Sequence, residues 1–289
     1  MEREYQVYGH SEFKNISLIS VAHLYNLRRS NAYRSITRRF TKTKPAVSKI
    51  GERIKPEAKG MPGYIRIDTV HQGDMNGGKG VYHINAVDEV TQWEIIASVE
   101  RISEAYLVPV LETILLQFPF VIRGFHSDNG SEFVNRIVAQ LLNKMLIRFT
   151  KSRPRHSNDN GLVESKNGSV VRKQLGYAYM PQSCAELVNG FNRDFFNPYI
   201  NFHRPCFFPV SVIDSKGKIK KSYPYKDVMT PYGKLKALPR AGNYLRLGIT
   251  FEGLEKIANQ MSDNQFAERM VNARSNLFQQ ISRFVIRVA

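Results

Sequence analysis

The chain has 289 residues, with 42 Lys or Arg against 25 Asp or Glu, and a formal net charge of +17 at pH 7. Hydrophobic residues make up 42% and aromatic residues 11%, which is enough for a sizeable core and excludes a disordered basic tail. The surplus of positive charge indicates a polyanionic partner, most simply nucleic acid.

The cysteines and the apolar stretches exclude several other classes of protein. Cys184 and Cys206 have neither a CxxC nor a Cys/His finger spacing, so we expect no disulfide framework and no structural zinc module. The N-terminus, MEREYQVYGH, lacks the apolar core of a secretory signal. Glu112, Gln117 and two prolines interrupt the most apolar stretch, residues 105–122, which therefore predicts a buried helix and a strand instead of a membrane span. We expect a cytoplasmic protein without membrane contact.

The first 60 residues carry 13 basic and 5 acidic side chains. An apolar helical pattern ends near Leu27, and Ser30 can cap a second helix that bears Arg34 and Arg38. Such a pair is typical of a helix-turn-helix, whose second helix enters the major groove of DNA, although a purely structural helix pair explains the pattern equally well. Residues 41–62 indicate a basic linker.

From Tyr64 the apolar pattern alternates with a period of two, which predicts three successive strands, YIRIDTV, VYHINAV and QWEIIASV. They form an antiparallel meander in this interpretation. The Gly-rich turn at residues 73–80 nearly fits the Walker A spacing. Because no hydroxyl residue follows Lys79 and a strand follows instead of a helix, we reject a nucleotide site and expect no nucleotide cofactor.

The next elements alternate between helix and strand. We predict a helix over Ser103–Phe118 with a bend at Pro109, the strand PFVIRGFHSD, a helix capped by Ser131, and a short strand at Ile147–Thr150. A polar loop, KSRPRHSNDN, then leads into the helical pattern GLVESKNGSVVRKQL. This order predicts a mixed sheet with helices on its faces.

The last third of the chain gives weaker signals. A further helix is predicted between Cys184 and Tyr199, residues 206–250 show no clear periodicity, and residues 251–285 are predicted to be helical.

Acidic residues concentrate in the middle of the chain, where residues 61–130 carry 9 acidic and 4 basic side chains between basic flanks. A protein that binds nucleic acid purely by charge does not need these carboxylates, whereas one that holds divalent cations against phosphate does. A solvated acidic face is the plain alternative.

Three carboxylates are candidates for chemistry. Asp68 lies inside a predicted strand, where Asp is unfavourable; Asp128 ends a strand before a turn; and Glu164 lies on a helix after a basic loop. Each has a structural explanation when taken alone. Together, a strand centre, a strand end and a helix of one layered domain can converge on one edge of the sheet.

The spacing and surroundings of these acids resemble a known pattern. Asp128 and Glu164 are separated by 35 residues, and the segments SDNGSEF and SNDNGLVES surround them. With Asp68, they closely resemble the Asp, Asp, Glu signature of bacterial insertion-sequence transposases and retroviral integrases. The segment PYINFHRPC is similar to the Tyr-Asn...Arg-Pro stretch that closes the core in many bacterial transposases. The resemblance covers about residues 62–208.

The resemblance implies an α/β fold of the RNase H-like type, a five-stranded mixed sheet with helices on both faces. It also implies three regions: a basic helical region at residues 1–60, an integrase-like catalytic core at 61–205, and a basic C-terminal region with a terminal helix at 206–289. His10 and His23 have no cysteine partners, so the zinc-binding domain of retroviral integrases is not expected. Many bacterial relatives have a longer N-terminal DNA-binding region, which is consistent with a truncated copy.

The implied activity is that of a DNA transposase. Two Mg²⁺ ions, with Mn²⁺ as a substitute, would lie about 3.5 to 4 Å apart. They would activate the attacking oxygen and stabilise the leaving oxygen of a phosphodiester. By similarity, Asp68 would bridge both ions, while Asp128 and Glu164 would hold one each. Water would attack the element end, and the freed 3′ hydroxyl would attack target DNA.

The partners follow from the same resemblance: double-stranded DNA, and at least a homodimer that brings two DNA ends together. Basic side chains near Glu164 and in the N-terminal region are predicted to contact phosphates, although a solvated basic face is the alternative. Asn160 is expected to serve mainly in local positioning. The predicted DNA-binding residues are Lys151, Arg153, Arg155, His156, Asn160, Lys166, Arg172, Lys173, Arg34 and Arg38.

Two other functions compete with the transposase. One is a truncated or repurposed transposase that only binds DNA as a regulator, and the other is a simple nuclease on the same fold. Binding without cleavage would favour the first, and nicking without joining would favour the second.

Overall fold

The structure is a computed structural model that describes residues 2–30, 32–33, 49–128, 130, 132–213 and 217–288. The chain divides into two units, Met1–Val47 and Ser48–Ala289. Within the described part of the chain, every helix is too short or too polar to cross a membrane.

In its described residues, the N-terminal unit contains the short α-helices Glu2–Gln6, Lys14–Ser17 and Val21–Arg29. The hydroxyl of Ser20 caps the third helix by accepting a hydrogen bond from the backbone N–H of His23. This is the apolar helix predicted to end near Leu27. Ser30, predicted to cap the second helix of the pair, accepts a hydrogen bond from the backbone N–H of Tyr33 at 3.3 Å, whereas Arg34 and Arg38 lie outside the described residues.

The larger unit is built on a six-stranded sheet in the order β1-β8-β7-β2-β5-β6. β2, β5 and β6 pair antiparallel, whereas β1, β8, β7 and β2 run parallel to one another. Two small hairpins, β3–β4 and β9–β10, form separate sheets. The strands are β1 (Glu52–Arg53), β2 (Tyr64–His71), β3 (Asp74–Met75), β4 (Gly78–Lys79), β5 (Tyr82–Asp88), β6 (Glu94–Val99), β7 (Gly124–Ser127), β8 (Arg148–Lys151), β9 (Val210–Ile213) and β10 (Ile219–Ser222).

The predicted α/β fold with a mixed sheet is confirmed, and five of the six strands are those expected. The sixth, β1, is a correction, because it lies in the segment predicted to be a linker. Glu52 and Arg53 pair in parallel with Thr150 and Lys151 of β8. A strand of two residues is too short to produce a periodic signal.

Helices cover both faces of this sheet. Their bounds are Glu104–Gln117, Arg136–Lys144, Gly161–Lys166, Lys173–Leu175, Ala185–Phe191, Pro231–Lys236, Phe251–Ala258 and Asp263–Val288, with π-helical segments at Asn167–Arg172, Asn192–Phe196 and Tyr199–His203.

One predicted helix start is wrong. The helix after β7 begins at Arg136, and the side chain of Asn135 caps it by accepting from the N–H of Val138 at 2.9 Å. Ser131 lies outside the described residues.

Each sheet face carries its own apolar core. On one face, Ile65 and Ile67 of β2 pack with residues such as Leu111 and Leu142 from the helices Glu104–Gln117 and Arg136–Lys144. On the other face, Val70 packs in a second core to which Val170 and Val171 of the segment Asn167–Arg172, the helices after Cys184 and the C-terminal helix contribute. Alternation along β2 therefore sends Ile65 and Ile67 to one face and Arg66 and Asp68 to the other.

The outer edge of β6 is closed by three asparagines. An open strand edge pairs readily with other chains, and its N–H and C=O groups require partners when they are buried. The side-chain amides of Asn189, Asn197 and Asn201 each accept from a backbone N–H and donate to the C=O of the same residue, at distances of 2.6–3.1 Å. The backbone partners are Ser98, Ile96 and Glu94, respectively. Asn201 belongs to the PYINFHRPC segment, so this segment contributes to the closure of the sheet edge.

Asp88 is expected to be essential for stability. Its two carboxylate oxygens accept from the N–H of Gly63 at 2.7 Å, from the N–H groups of Val90 and Thr91, and from the Thr91 hydroxyl at 2.8 Å. Asp88→Asn keeps the shape but turns an NH₂ group toward N–H donors. We expect the free energy of unfolding in urea to fall by about 2–4 kcal/mol. The surface substitution Asp194→Asn is the matched control, and equal unfolding midpoints for the two variants would contradict the assignment.

Candidate active site

Asp68 and Asp128 lie side by side because β2 and β7 run parallel in a defined register. The register pairs Ile67 of β2 with Ser127 of β7, so the next residue of each segment is an aspartate at the same end of the sheet. Asp128 is the first residue beyond β7, and its Oδ1 accepts from the backbone N–H of Gly130 at 2.8 Å. Both carboxylates are half-buried.

Glu164 lies on a short helix, Gly161–Lys166, that packs against β2 and β5. Asn160 anchors the start of this helix, because its side-chain amide donates to the C=O of Ile67 at 3.1 Å and its C=O accepts from the N–H of Glu164. Val163 is fully buried, whereas Glu164 is exposed. Asn160 therefore links the helix that carries Glu164 to Ile67, the residue before Asp68.

The three carboxylates interact electrostatically. Burial is the main cause that raises the pKa of Asp68 to about 6, and the negative charges of Asp128 and Glu164 raise it further. The N–H of Thr69, which donates to Asp68 Oδ1 at 2.9 Å, has the opposite effect. The cluster therefore carries mutual repulsion that a bound cation would relieve.

Asn167 is a residue of this site that the sequence interpretation missed. Its side-chain amide donates to Asp68 Oδ2 at 2.7 Å and its carbonyl oxygen accepts from the amide of Asn85 at 2.9 Å. Asn85 pairs with Asp68 across β2 and β5. Helical spacing is the sequence feature that could have identified Asn167, because it follows Glu164 by three residues and so shares its helix face.

The donor chemistry of the site suits a hard divalent cation. Carboxylate oxygens are the protein ligands that Mg²⁺ prefers, and Asp68, Asp128 and Glu164 supply them. In the part of the chain that the structure describes, however, no three His, Cys, Asp or Glu side chains lie close enough together to hold a metal ion. Both oxygens of Asp68 and one of Asp128 accept hydrogen bonds from Thr69, Asn167 and Gly130. Each of these oxygens has a second lone pair, so the hydrogen bonds can orient the carboxylates while the carboxylates bind a cation.

Some predicted phosphate contacts lie at the surface. Arg155, His156 and Lys173 are exposed. Arg153 is half-exposed, and its guanidinium forms an ion pair with Asp159 at 2.9 Å, which holds the pKa of Asp159 down at about 2.

The side chains of several other predicted phosphate contacts point into the protein. Lys151 is 1% exposed and donates to the C=O of Ile50, and Asn160 is buried against β2. Lys166 is 6% exposed, lies 3.7 Å from a carboxylate oxygen of Glu94 and donates to Cys206.

The guanidinium of Arg172 donates to the C=O of His71 at 2.6 Å and to Gln72, and stacks on Tyr177. A count of charges does not reveal which face of a helix is turned to the sheet, and Lys166 and Arg172 both face inward. Arg34 and Arg38 lie outside the described residues.

Residues 58–157 match the family model described as the integrase core domain. Residues 58–157 are therefore similar to integrase core domains. This match confirms the predicted resemblance to integrase and transposase cores. The matched range includes Asp68 and Asp128 and ends before Glu164.

The known proteins that match this chain include one relative by sequence and one solved structure. An uncharacterized protein, y4rM, of Sinorhizobium fredii (strain NBRC 101917 / NGR234) is 30% identical over 148 residues, which are 51% of this chain and 42% of that protein. The chain therefore spans less than half the length of this relative. A solved structure, the cryo-EM structure of a simian T-cell lymphotropic virus intasome in complex with PP2A regulatory subunit B56 gamma, is 17% identical with a TM-score of 0.34. This match covers 61% of our chain and 60% of the matched chain in that structure.

Proposed function

We propose that this chain is a divalent-metal-dependent DNA transposase that cuts phosphodiester bonds at the ends of its element and joins the freed 3′ hydroxyl to target DNA. The observation that carries the proposal is the register of β2 and β7, which sets Asp68 beside Asp128 with the Glu164 helix packed on the same strand. The match of residues 58–157 to the integrase core domain supports the same reaction class.

In this proposal, Asp68, Asp128 and Glu164 hold two Mg²⁺ ions, for which Mn²⁺ substitutes. When bound, the ions supply activation of the attacking oxygen and stabilisation of the leaving oxygen. Asn167 orients Asp68, and Asn160 fixes the Glu164 helix against β2.

The proposed partner is double-stranded DNA. The net charge of +17 favours attraction to the phosphate backbone, and exposed Arg155, His156 and Lys173 are the proposed phosphate contacts near the carboxylates. Because strand transfer of an element uses two DNA ends, we propose at least a homodimer on DNA. The proposed location is the bacterial nucleoid.

The proposal is tested with labelled duplex DNA that carries the sequences flanking this gene on the chromosome. The protein is incubated with Mg²⁺, with Mn²⁺ or with EDTA, and products are separated on denaturing gels. Joined products that require the metal are expected. Nicks without joining would replace the proposal with a nuclease, and binding without any cleavage would replace it with a DNA-binding regulator.

A further inference from the structure

The hairpin β9–β10 is a two-stranded ribbon that stands apart from the main sheet. All four residues of β9 are exposed, including Val212 at 47% and Ile213 at 72%. An isolated two-stranded ribbon is marginally stable in water, so contact with a partner would stabilise it. The ribbon is therefore a candidate binding element.

The charge of the ribbon indicates an anionic partner. Residues 206–227 contain five lysines and two aspartates. The register pairs Lys220 with Val212 and Lys221 with Ser211, so neighbouring lysines of β10 point to opposite faces. A major groove of DNA is wide enough for a two-stranded ribbon, and lysines on both faces would meet the phosphates on its two sides.

Lys221 also lines a cleft of about 590 Å³ together with the loop that precedes Glu164. The cleft walls carry three carboxylates, of which Glu89 is ion-paired with Arg66 at 3.0 Å and Asp159 with Arg153 at 2.9 Å. The remaining lining charges are Lys55, Arg155 and Lys221 against Glu57. The cleft therefore has a surplus of positive charge.

Arg66 connects this cleft to the candidate active site. It is nine-tenths buried, lies two residues before Asp68 on the same face of β2, and donates to the C=O of Asp159. Its Nε has no hydrogen-bond partner among the described residues. A strand advances about 3.3 Å per residue, so the cleft begins about 7 Å along β2 from Asp68.

We propose that this cleft and the β9–β10 ribbon together bind the phosphate backbone of the duplex that flanks the bond to be cut, with Lys221 as a direct phosphate contact. The inference rests on the proposed function, because it assigns a second contact to the same DNA substrate. Lys221 enters the cleft beside Arg155, and the rest of the ribbon extends the contact along the duplex.

The test compares Lys221→Glu with Lys256→Glu. Lys256 is exposed on the helix Phe251–Ala258, which packs through Leu254 into the core on the opposite sheet face. Both substitutions change the net charge by the same amount, so they reduce the nonspecific electrostatic attraction to DNA equally. Binding of a short fluorescein-labelled duplex of mixed sequence is followed by anisotropy in EDTA at several salt concentrations.

We expect Lys221→Glu to bind at least about 10-fold more weakly than Lys256→Glu. The slope of the logarithm of the affinity against the logarithm of the salt concentration should also become shallower, by the amount that corresponds to about one phosphate contact. Lys221→Gln, which removes the charge without adding repulsion, should show a smaller loss with the same change in salt dependence. Equal affinity and equal salt dependence for the Lys221 and Lys256 variants would overturn the inference.

The binding assay separates this inference from the proposed function. Binding in EDTA requires no cleavage, so absence of joining by the wild-type protein would overturn the transposase proposal and not the DNA-binding cleft. Conversely, metal-dependent joining by the wild-type protein, with unchanged binding by Lys221→Glu, would overturn the cleft alone.

Discussion

Asp128→Asn is expected to lower metal-dependent cleavage and joining by at least about 10³-fold, equivalent to a loss of about 4 kcal/mol of transition-state stabilisation. The neutral amide is a poor ligand for a hard cation, whereas its oxygen can still accept from the N–H of Gly130. The fold should therefore be retained. Single-turnover reactions on a labelled duplex measure the rate.

The matched control is Asp194→Asn, because Asp194 is exposed and pairs only with its neighbour Arg193 among the interactions of the described residues. We expect its rate to equal that of the wild-type protein. Duplex binding by Asp128→Asn should be equal or stronger, since a negative charge near the phosphates is removed. Joining by Asp128→Asn within about tenfold of the wild-type rate would exclude Asp128 as a metal ligand.

Asn197→Ala is expected to lower the free energy of unfolding by about 2–4 kcal/mol. The side chain of Asn197 accepts from the N–H of Ile96 at 2.9 Å and donates to its C=O at 3.1 Å. Ile96 is 1% exposed, so water cannot replace these bonds without opening the edge of β6. Urea denaturation followed by circular dichroism measures the change.

Asn276→Ala on the exposed face of the C-terminal helix is the control for this substitution. Its effect should lie within about 0.5 kcal/mol of zero. We also expect Asn197→Ala to aggregate more readily during refolding, because the β6 edge then presents unpaired backbone groups. A common unfolding midpoint for both variants would show that the asparagine pairing is not needed to hold this edge.

The main strands could be predicted because their signal is local. In YIRIDTV, alternate residues face two different cores, and that alternation produces the period of two. The short β1 and the β9–β10 ribbon gave no such signal. β1 has only two residues, and β9 packs neither face against a core, so no selection for alternating apolar residues applies to it.

The candidate site could be predicted only in part for a similar reason. Asp68 and Asp128 are set by strand positions that the sequence reveals, and the parallel register then brings them together. The burial of Lys151 and Lys166 depends on Ile50 and Glu94, which are distant in the chain. Asn167 was missed because its contact with Asp68 also depends on how the helix packs on the sheet.

Iron-directed cleavage of the protein backbone is the measurement that would locate the metal site. Fe²⁺ is allowed to occupy the site in place of Mg²⁺, ascorbate and peroxide then generate hydroxyl radicals beside it, and mass spectrometry maps the fragments. We expect cuts in three separate segments, around Asp68, Asp128 and Glu164, which excess Mg²⁺ and Asp128→Asn both suppress. Cuts confined to other segments, or an unchanged pattern in Asp128→Asn, would contradict a shared metal site formed by these carboxylates.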